Sequence, residues 1–350
     1  MTSTDGPNGP SLAIPGSVAA SFPDAAVAAH YGDPFAEQRA LAHARGVVDR
    51  SNRDVLRIGG ADRLSWLNSL STQKLDDLAP GAAVQSLVLS PHGHVEHHLS
   101  LVDDGAWTWV HVEPGEAAAL AGFLESMRFM LRVSPEDVSA GYGVLTVMGQ
   151  EAIPDQAVHA DAAAVQSFSF GTDMIVPRDR LAAAMADLRE HGAEYAGMWA
   201  HEALRIAGHR ARFGTDTDHR TIPHEAGWVE PAVHLDKGCY RGQETVARVE
   251  NLGHPPRRLV MLHLDGGEDR LPAHGEPVLH GDSAAGFVGS AARHYELGPI
   301  ALAMVKRTVP VTATLVTAGI SAAQEVIVPP EVGAKARSAV DQWRDGRRTR

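Results

Sequence analysis

One cysteine occurs in the chain, Cys239, within the segment Lys237-Gly238-Cys239-Tyr240-Arg241-Gly242-Gln243-Glu244. A thiol attacks or ligates as the thiolate, a form favoured by nearby cations and by a helix N-terminus. Lys237 and Arg241 flank the cysteine. Gln243 to Leu252 has helical spacing, with Val246, Val249 and Leu252 on one side and Gly253 as the stop. Gly238 and Gly242 permit a tight or left-handed backbone and the close approach of another group. The pattern predicts a reactive or ligand-facing cysteine just ahead of a helix, not a small buried hydrophobe.

A second concentration of chemistry is His92, His94, His97 and His98. On a strand, His94 and His98 share one face, while Val95, His97, Leu99 and Leu101 share the other. That alternation disperses the imidazoles, so no metal site is expected. Trp199 and Trp228 are candidates to line a ring-binding channel.

These groups must be carried by a mixed set of elements. Asp54 to Ile58, Ala83 to Leu89, His94 to Val102 and Trp107 to Val112 read as strands. Leu64, Trp66, Leu67 and Leu70 fall at helical spacing, as do Leu120, Phe123, Leu124 and Met127 between Glu116 and Leu131. Strands and helices alternate again from Gly143 to His191, which gives an α+β body. After Pro255 the pattern changes to short apolar runs split by Gly, Pro and Asp, as in a small antiparallel barrel. The expected organisation is a mobile arm over residues 1–40, a two-lobed body over 41–255, a barrel over 256–330 and a polar tail over 331–350.

Composition narrows the function classes. With 31 basic against 43 acidic residues the net charge is −12, which argues against an extended nucleic-acid surface. The balance leaves room for a local basic patch, for example around Arg257-Arg258. A lone cysteine forms no internal disulfide and fits a reducing compartment. Neither a signal-peptide pattern nor an apolar run of membrane-spanning length is evident, so a cytoplasmic protein without membrane contact is expected.

The segment Lys237 to Glu244 agrees at every fixed position with the K-G-C-[FY]-x-G-Q-E signature of the YgfZ family, and the chain resembles that family over roughly residues 45 to 320. Leu204-Arg205-Ile206, Phe213-Gly214-Thr215-Asp216, Ile222-Pro223-His224-Glu225 and Gly286-Phe287-Val288-Gly289-Ser290-Ala291 add to the likeness. The resemblance implies a fold related to the glycine-cleavage T-protein, three-lobed, with a central channel that binds tetrahydrofolate and a C-terminal antiparallel β-barrel. It implies a role in assembling or repairing iron–sulfur proteins, with those proteins or their assembly factors as partners and Cys239 as the essential group. Arg248 is a candidate for the folate glutamate tail, and His97, His98, Glu225 and Trp199 are candidate folate contacts.

Two positions depart from the T-protein pattern. Its Gly-Gly-x-x-Asp-Asp-Leu stretch is matched by Gly93-His94-Val95-Glu96-His97-His98-Leu99, with both aspartates replaced. Imidazole moves protons near neutral pH but supplies no fixed negative charge beside a developing iminium, so glycine-cleavage activity is not expected. The glutamate that contacts the pterin in the T-protein is matched by Ile206, leaving Glu202 or Glu225 as stand-ins. The resemblance leaves three readings open: a folate-binding accessory protein, a folate-dependent one-carbon transferase on another substrate, and a module that has kept the fold and lost catalysis.

Overall fold

A computed structural model describes residues 8–267 and 269–332. Two five-stranded sheets form the body. One is antiparallel, in the order Ala83–Leu89, Val95–Asp103, Trp107–Val112, Asp54–Gly59, Ser134–Asp137. Helices Arg63–Leu70 and Ala117–Ser126 cover one face of it, burying Trp66, Leu67, Leu70, Leu120 and Leu124 against Leu99, Leu101 and Val110. Burial alternates from Val95 to Leu101, so the two-residue period placed this strand correctly, and Val102 and Asp103 are buried as well. The helix expected to run to Leu131 ends at Ser126 instead, and Phe129 at φ 47° turns the chain away.

The second sheet runs Ala164–Phe168, Gly171–Pro177, Tyr142–Gly149, Arg45–Asp49, Glu194–Ala196, with the last pair parallel. Helix Leu181–Glu190 packs on it through Leu181, Ala184, Met185 and Leu188. The two sheets meet through Val55, Val102, Trp109, Val144 and Ile175.

Strands Arg257–Leu264, Gly298–Lys306, Ser283–His294, Pro277–His280, Leu315–Thr317 and Ile320–Val326 close into the expected antiparallel barrel. Its outer surface packs on helix Met198–Ala207 through Leu259, Met261, Leu302 and Met304 against Ala203 and Ile206. A Cβ at Gly289 would lie 2.2 Å from Asp216 Oδ1, so a side chain there would push the barrel off the body. The contact lets Ser290 Oγ donate to Asp216 Oδ1 at 2.6 Å.

Arg257 adds a clamp between barrel and body. Its Nη1 donates to Asp218 Oδ2 at 2.7 Å and its Nη2 to Glu225 Oε2 at 2.9 Å. Arg258 is fully buried. This pair therefore makes no basic patch: one guanidinium is neutralised and the other lies inside the barrel. Burial opposes ionisation of Asp218, but Arg257 outweighs it and brings the carboxyl from 3.8 to about 2. On acidification the unfolded chain takes up this proton first. The stability supplied by the pair is full above pH 3.8 and is lost as the pH falls through about 2. Thermal melting followed from pH 5 to pH 2 is expected to show a steeper fall for the native chain than for Asp218→Asn, which lacks the titrating group.

The arm expected over residues 1–40 is corrected from residue 8 onward. Ser11 is fully buried, Ser11 N donates to Asp49 Oδ2 at 3.0 Å, and helix Pro34–His43 packs on the second sheet. Composition misled here because small residues such as Ser11, Ala28 and Ala29 fit where backbone lies close to backbone. Most of the expected tail, residues 333–350, lies outside the described residues.

Candidate functional site

Two chambers lie where the sheets, the N-terminal segment and the barrel converge. The outer one, about 930 Å³, is lined by Phe22, Phe35, Trp199, Phe213 and barrel residues that include Leu271 and Arg293. The second, called the inner one, is about 180 Å³ and touches His98, Trp228, Phe170, His201, Arg53 and Arg205. Asp24, Glu113, Glu202 and Arg212 line both, so these four side chains form the partition between them.

Charge in the partition is fully matched. Arg212 donates to Asp24 Oδ2 and Oδ1 at 2.7 and 2.8 Å, and to Glu113 Oε2 at 2.7 Å. Arg53 donates to the other oxygen of Glu113 at 2.5 Å. Burial disfavours the charged form of Glu113, yet Arg212, Arg53 and Arg50 hold its pKa well below the usual range. Arg205 donates twice to Glu202, at 2.9 and 2.7 Å, and once to Asp216 at 2.7 Å. A buried guanidinium with several carboxylates satisfied in this way keeps a fixed geometry.

His98 and His111, both in the inner chamber, are neutral. Arg53 Nε donates to His111 Nδ1 at 2.8 Å, so His111 Nε2 carries the proton it shares with Asp173 Oδ2 at 3.0 Å. Burial lowers His111 to about 4. Burial also lowers His98 to about 4. The His98 ring stacks on Trp228 at 4.6 Å between centroids, and its Nε2 lies 3.1 Å from Gln85 Oε1.

The predicted residues divide between several places. His98 lines the inner chamber, Trp228 forms its wall, and Trp199 faces the outer one. His97 points to the opposite face of its strand, buried beside Glu116 Oε2 at 3.1 Å, and lines neither chamber. Glu225 is fully buried in the Arg257 clamp, so it cannot stand in for a pterin acid, whereas Glu202 borders both chambers. Arg248 is exposed on helix Gln243–Leu252, outside both. Among the described residues no group of three or more His, Cys, Asp or Glu could hold a metal ion.

The cysteine motif is a separate surface feature. Cys239 is exposed in the loop before helix Gln243–Leu252 and lines neither chamber. Gly242 takes φ 80° as the N-cap, and a Cβ there would lie 2.6 Å from Ser90 O, so this glycine is needed for close approach. Gly238 meets nothing within 4 Å and has no such role. Gln243 and Glu244 open the helix. The two cations expected to favour the thiolate are committed elsewhere. Lys237 Nζ donates to the carbonyls of Asn68, Ser71 and Gln73, and Arg241 Nη1 donates to Glu96 Oε2 at 2.8 Å. Tyr240 is buried in the same apolar cluster as Leu87, Leu89, Val246 and Trp228, and Trp228 also lines the inner chamber.

Asp24, Glu113, His201 and Arg212 were not singled out from the sequence. Helix Met198–Ala207 carried a signal: His201 and Arg205, four residues apart, both lie on its buried side among Met198, Ala200 and Ile206. Charged or polar groups on an apolar helix face mark an internal site.

The family model for the glycine cleavage T-protein C-terminal barrel domain matches residues 257–332. An aminomethyltransferase of Synechococcus sp. (strain CC9311) is 27% identical over 311 residues, covering 77% of this chain and 81% of that protein. An aminomethyltransferase of Nostoc sp. (strain PCC 7120) is 26% identical over 302 residues, covering 77% and 79%. The crystal structure of the glycine cleavage system aminomethyltransferase T from Bartonella henselae superposes with a TM-score of 0.75 at 17% identity, over 91% of this chain and 95% of that one.

Proposed function

Because the chain has the fold of the glycine-cleavage aminomethyltransferases and ends in their C-terminal barrel, we propose that it binds tetrahydrofolate in the paired chambers and serves the maturation of iron–sulfur proteins through the exposed Cys239. The observation that carries the folate reading is the pair of adjoining cavities at the lobe junction, one small and ring-lined, the other roomy. A folate has that shape: a flat bicyclic head, then a p-aminobenzoyl linker with an anionic tail. Stacked His98 and Trp228 offer a ring face inside, and Phe22, Phe35 and Trp199 offer apolar surface outside.

Binding without aminomethyl transfer fits the inner chamber better than catalysis. His98 occupies the chamber at a position matched to an aspartate of the T-protein, and at neutral pH it bears no charge. It therefore neither stabilises an iminium by charge nor delivers a proton as an imidazolium. The relatives named aminomethyltransferase favour a second reading, one-carbon transfer onto tetrahydrofolate, which requires turnover of a methylated or aminomethylated donor. Loss of such turnover in His98→Ala would establish it.

Calorimetric titration with tetrahydrofolate is expected to give saturable binding of equal affinity for the native chain and for Cys239→Ala, since the thiol lies outside both chambers. In cells, Cys239→Ala is expected to lower the activity of cluster-dependent enzymes while the protein accumulates normally. Undiminished activity of those enzymes would remove the iron–sulfur role, and an absence of titratable binding would remove the folate.

A further inference from the structure

The chain leaving helix Ala117–Ser126 presents three successive apolar side chains to solvent. Phe129, Met130 and Leu131 are 84%, 99% and 41% exposed. Phe129 holds φ 47°, a left-handed backbone that a bulky residue adopts only at a cost. No burial repays that cost within the chain, because the conformation carries the tip outward. An exposed apolar run of this kind marks an interaction surface.

The helix itself extends the surface. Apart from its last two residues it is apolar all the way round. Ala117, Leu120 and Leu124 face the core of the first sheet, with Ala121 and Phe123 packed beside them. By the helical period Ala118, Ala119 and Gly122 point the opposite way, and all three are exposed. A surface helix ordinarily turns a polar face to water, and one that is apolar on both sides is covered on both. Glycine in a helix interior costs stability relative to alanine. A Cβ at Gly122 would meet nothing within 4 Å, so no packing inside the chain requires the glycine there. Its use lies in the close approach of another backbone from outside.

Charge and position define the occupant. The ions beside the tip are paired, Arg128 with Glu125 at 3.2 Å and Arg132 with Asp62 at 2.8 Å. An anionic membrane or a nucleic acid needs unpaired cations, so the complement is an uncharged protein surface. The face also adjoins the cysteine motif. Arg241 lies over the ring of Phe123 at 5.5 Å, and Lys237 is anchored on carbonyls at the end of the neighbouring helix Arg63–Leu70. Trp66 of that helix donates through Nε1 to Met127 O at 3.0 Å, just before the tip. Cys239 and the tip are thus held by the same pair of covering helices.

We propose that Ala118, Ala119 and Gly122, together with the Phe129–Leu131 tip, dock an apolar, uncharged helix of the protein whose cluster Cys239 serves. The small residues let that helix lie close, and the tip enters the cleft beside it. Resting on the iron–sulfur reading of Cys239, this assigns to its partner the surface that brings the partner to the thiol.

Two variants alter the face and leave the thiol in place. Gly122→Gln adds a better helix former in open space and is expected to raise the melting temperature by about 1–2 °C. Phe129→Asn with Met130→Gln removes the apolar tip, suits the left-handed backbone and is expected to melt no lower than the native chain. Both are expected to keep native tetrahydrofolate affinity, since none of the three positions lines either chamber. In cells both are expected to lower the activity of cluster-dependent enzymes at least about fivefold, toward that of Cys239→Ala. Met130→p-benzoylphenylalanine, irradiated in cells, is expected to form adducts with iron–sulfur proteins, and adducts confined to other proteins would overturn the proposal. Native enzyme activity in both face variants, with loss in Cys239→Ala, would overturn the docking face and leave the iron–sulfur reading intact. Loss in both, with Cys239→Ala native, would support the face and overturn the role of the thiol. Native activity in all three would overturn both. A dimer of the native chain in sedimentation, abolished by Gly122→Gln, would give the face to a second copy and overturn the proposal.

Discussion

Replacing Arg212 by methionine is expected to cost about 3–5 kcal/mol of folding free energy, because it strands two buried carboxylates rather than deleting a balanced pair. Arg212 alone links Asp24 in the N-terminal segment to Glu113 at the end of strand Trp107–Val112. Asp24 would keep only the donation from Asn52 Nδ2, and Glu113 only that from Arg53. A loss of that size corresponds to a fall in melting temperature on the order of 10 °C for a chain of this length. Asp24→Asn combined with Arg212→Met is expected to recover part of it, since an amide tolerates the missing cation better than a carboxylate does. Limited proteolysis should find new cleavage near residues 20–26 in Arg212→Met. A melting temperature within about 1 °C of the native value would mean that the partition closes without the guanidinium.

The network shows where sequence reasoning reached and where it stopped. Strand period and helix spacing located Val95–Asp103, Arg63–Leu70 and Gln243–Leu252, because in each one face is covered by the core. The barrel was legible for the same reason, as short apolar runs between turn residues. The chambers were not. Asp24, Arg53, Glu113 and Arg212 lie far apart in the chain, and no local pattern says that a guanidinium at 212 will meet carboxylates at 24 and 113. Glu225 was a candidate as a stand-in for the pterin acid and Arg248 as a partner of the folate glutamate tail, yet one serves a clamp and the other is exposed. His97 and His98 show the finer limit. The alternation placed them on opposite faces, but which face meets a cavity depends on helix Ala117–Ser126 covering one and Trp228 the other. The motif lies on an exposed loop just ahead of a helix, as its spacing predicted, while the roles expected of its cations were not those they have.

Those cations give the last prediction its force. Lys237 reads in the sequence as an activator of its neighbour, and in the fold it is an anchor. Its ammonium closes the C-terminal end of helix Arg63–Leu70 and the turn after it, where carbonyls have no partner within the helix. Three donors on one nitrogen meet three converging carbonyls, and the Tyr240 ring lies 5.3 Å below. Lys237→Met keeps the length of the side chain and loses every one of those bonds, for an expected cost of about 2–3 kcal/mol. Lys237→Arg is expected to rescue little, because a planar fork cannot send three donors to one point. Cys239 remains in both variants, but the loop presenting it is no longer pinned to the first sheet's covering helix. Cluster-dependent enzyme activity in cells should therefore fall toward that of Cys239→Ala although the thiol is intact, and tetrahydrofolate affinity should stay within about threefold of native, since Lys237 lines neither chamber. If Lys237→Met matched the native chain in cells, the thiol would act without its anchor. If folate affinity fell together with activity, the apolar cluster that Tyr240 shares with Trp228 would carry more than packing, and the motif and the chambers would have to be treated as one site.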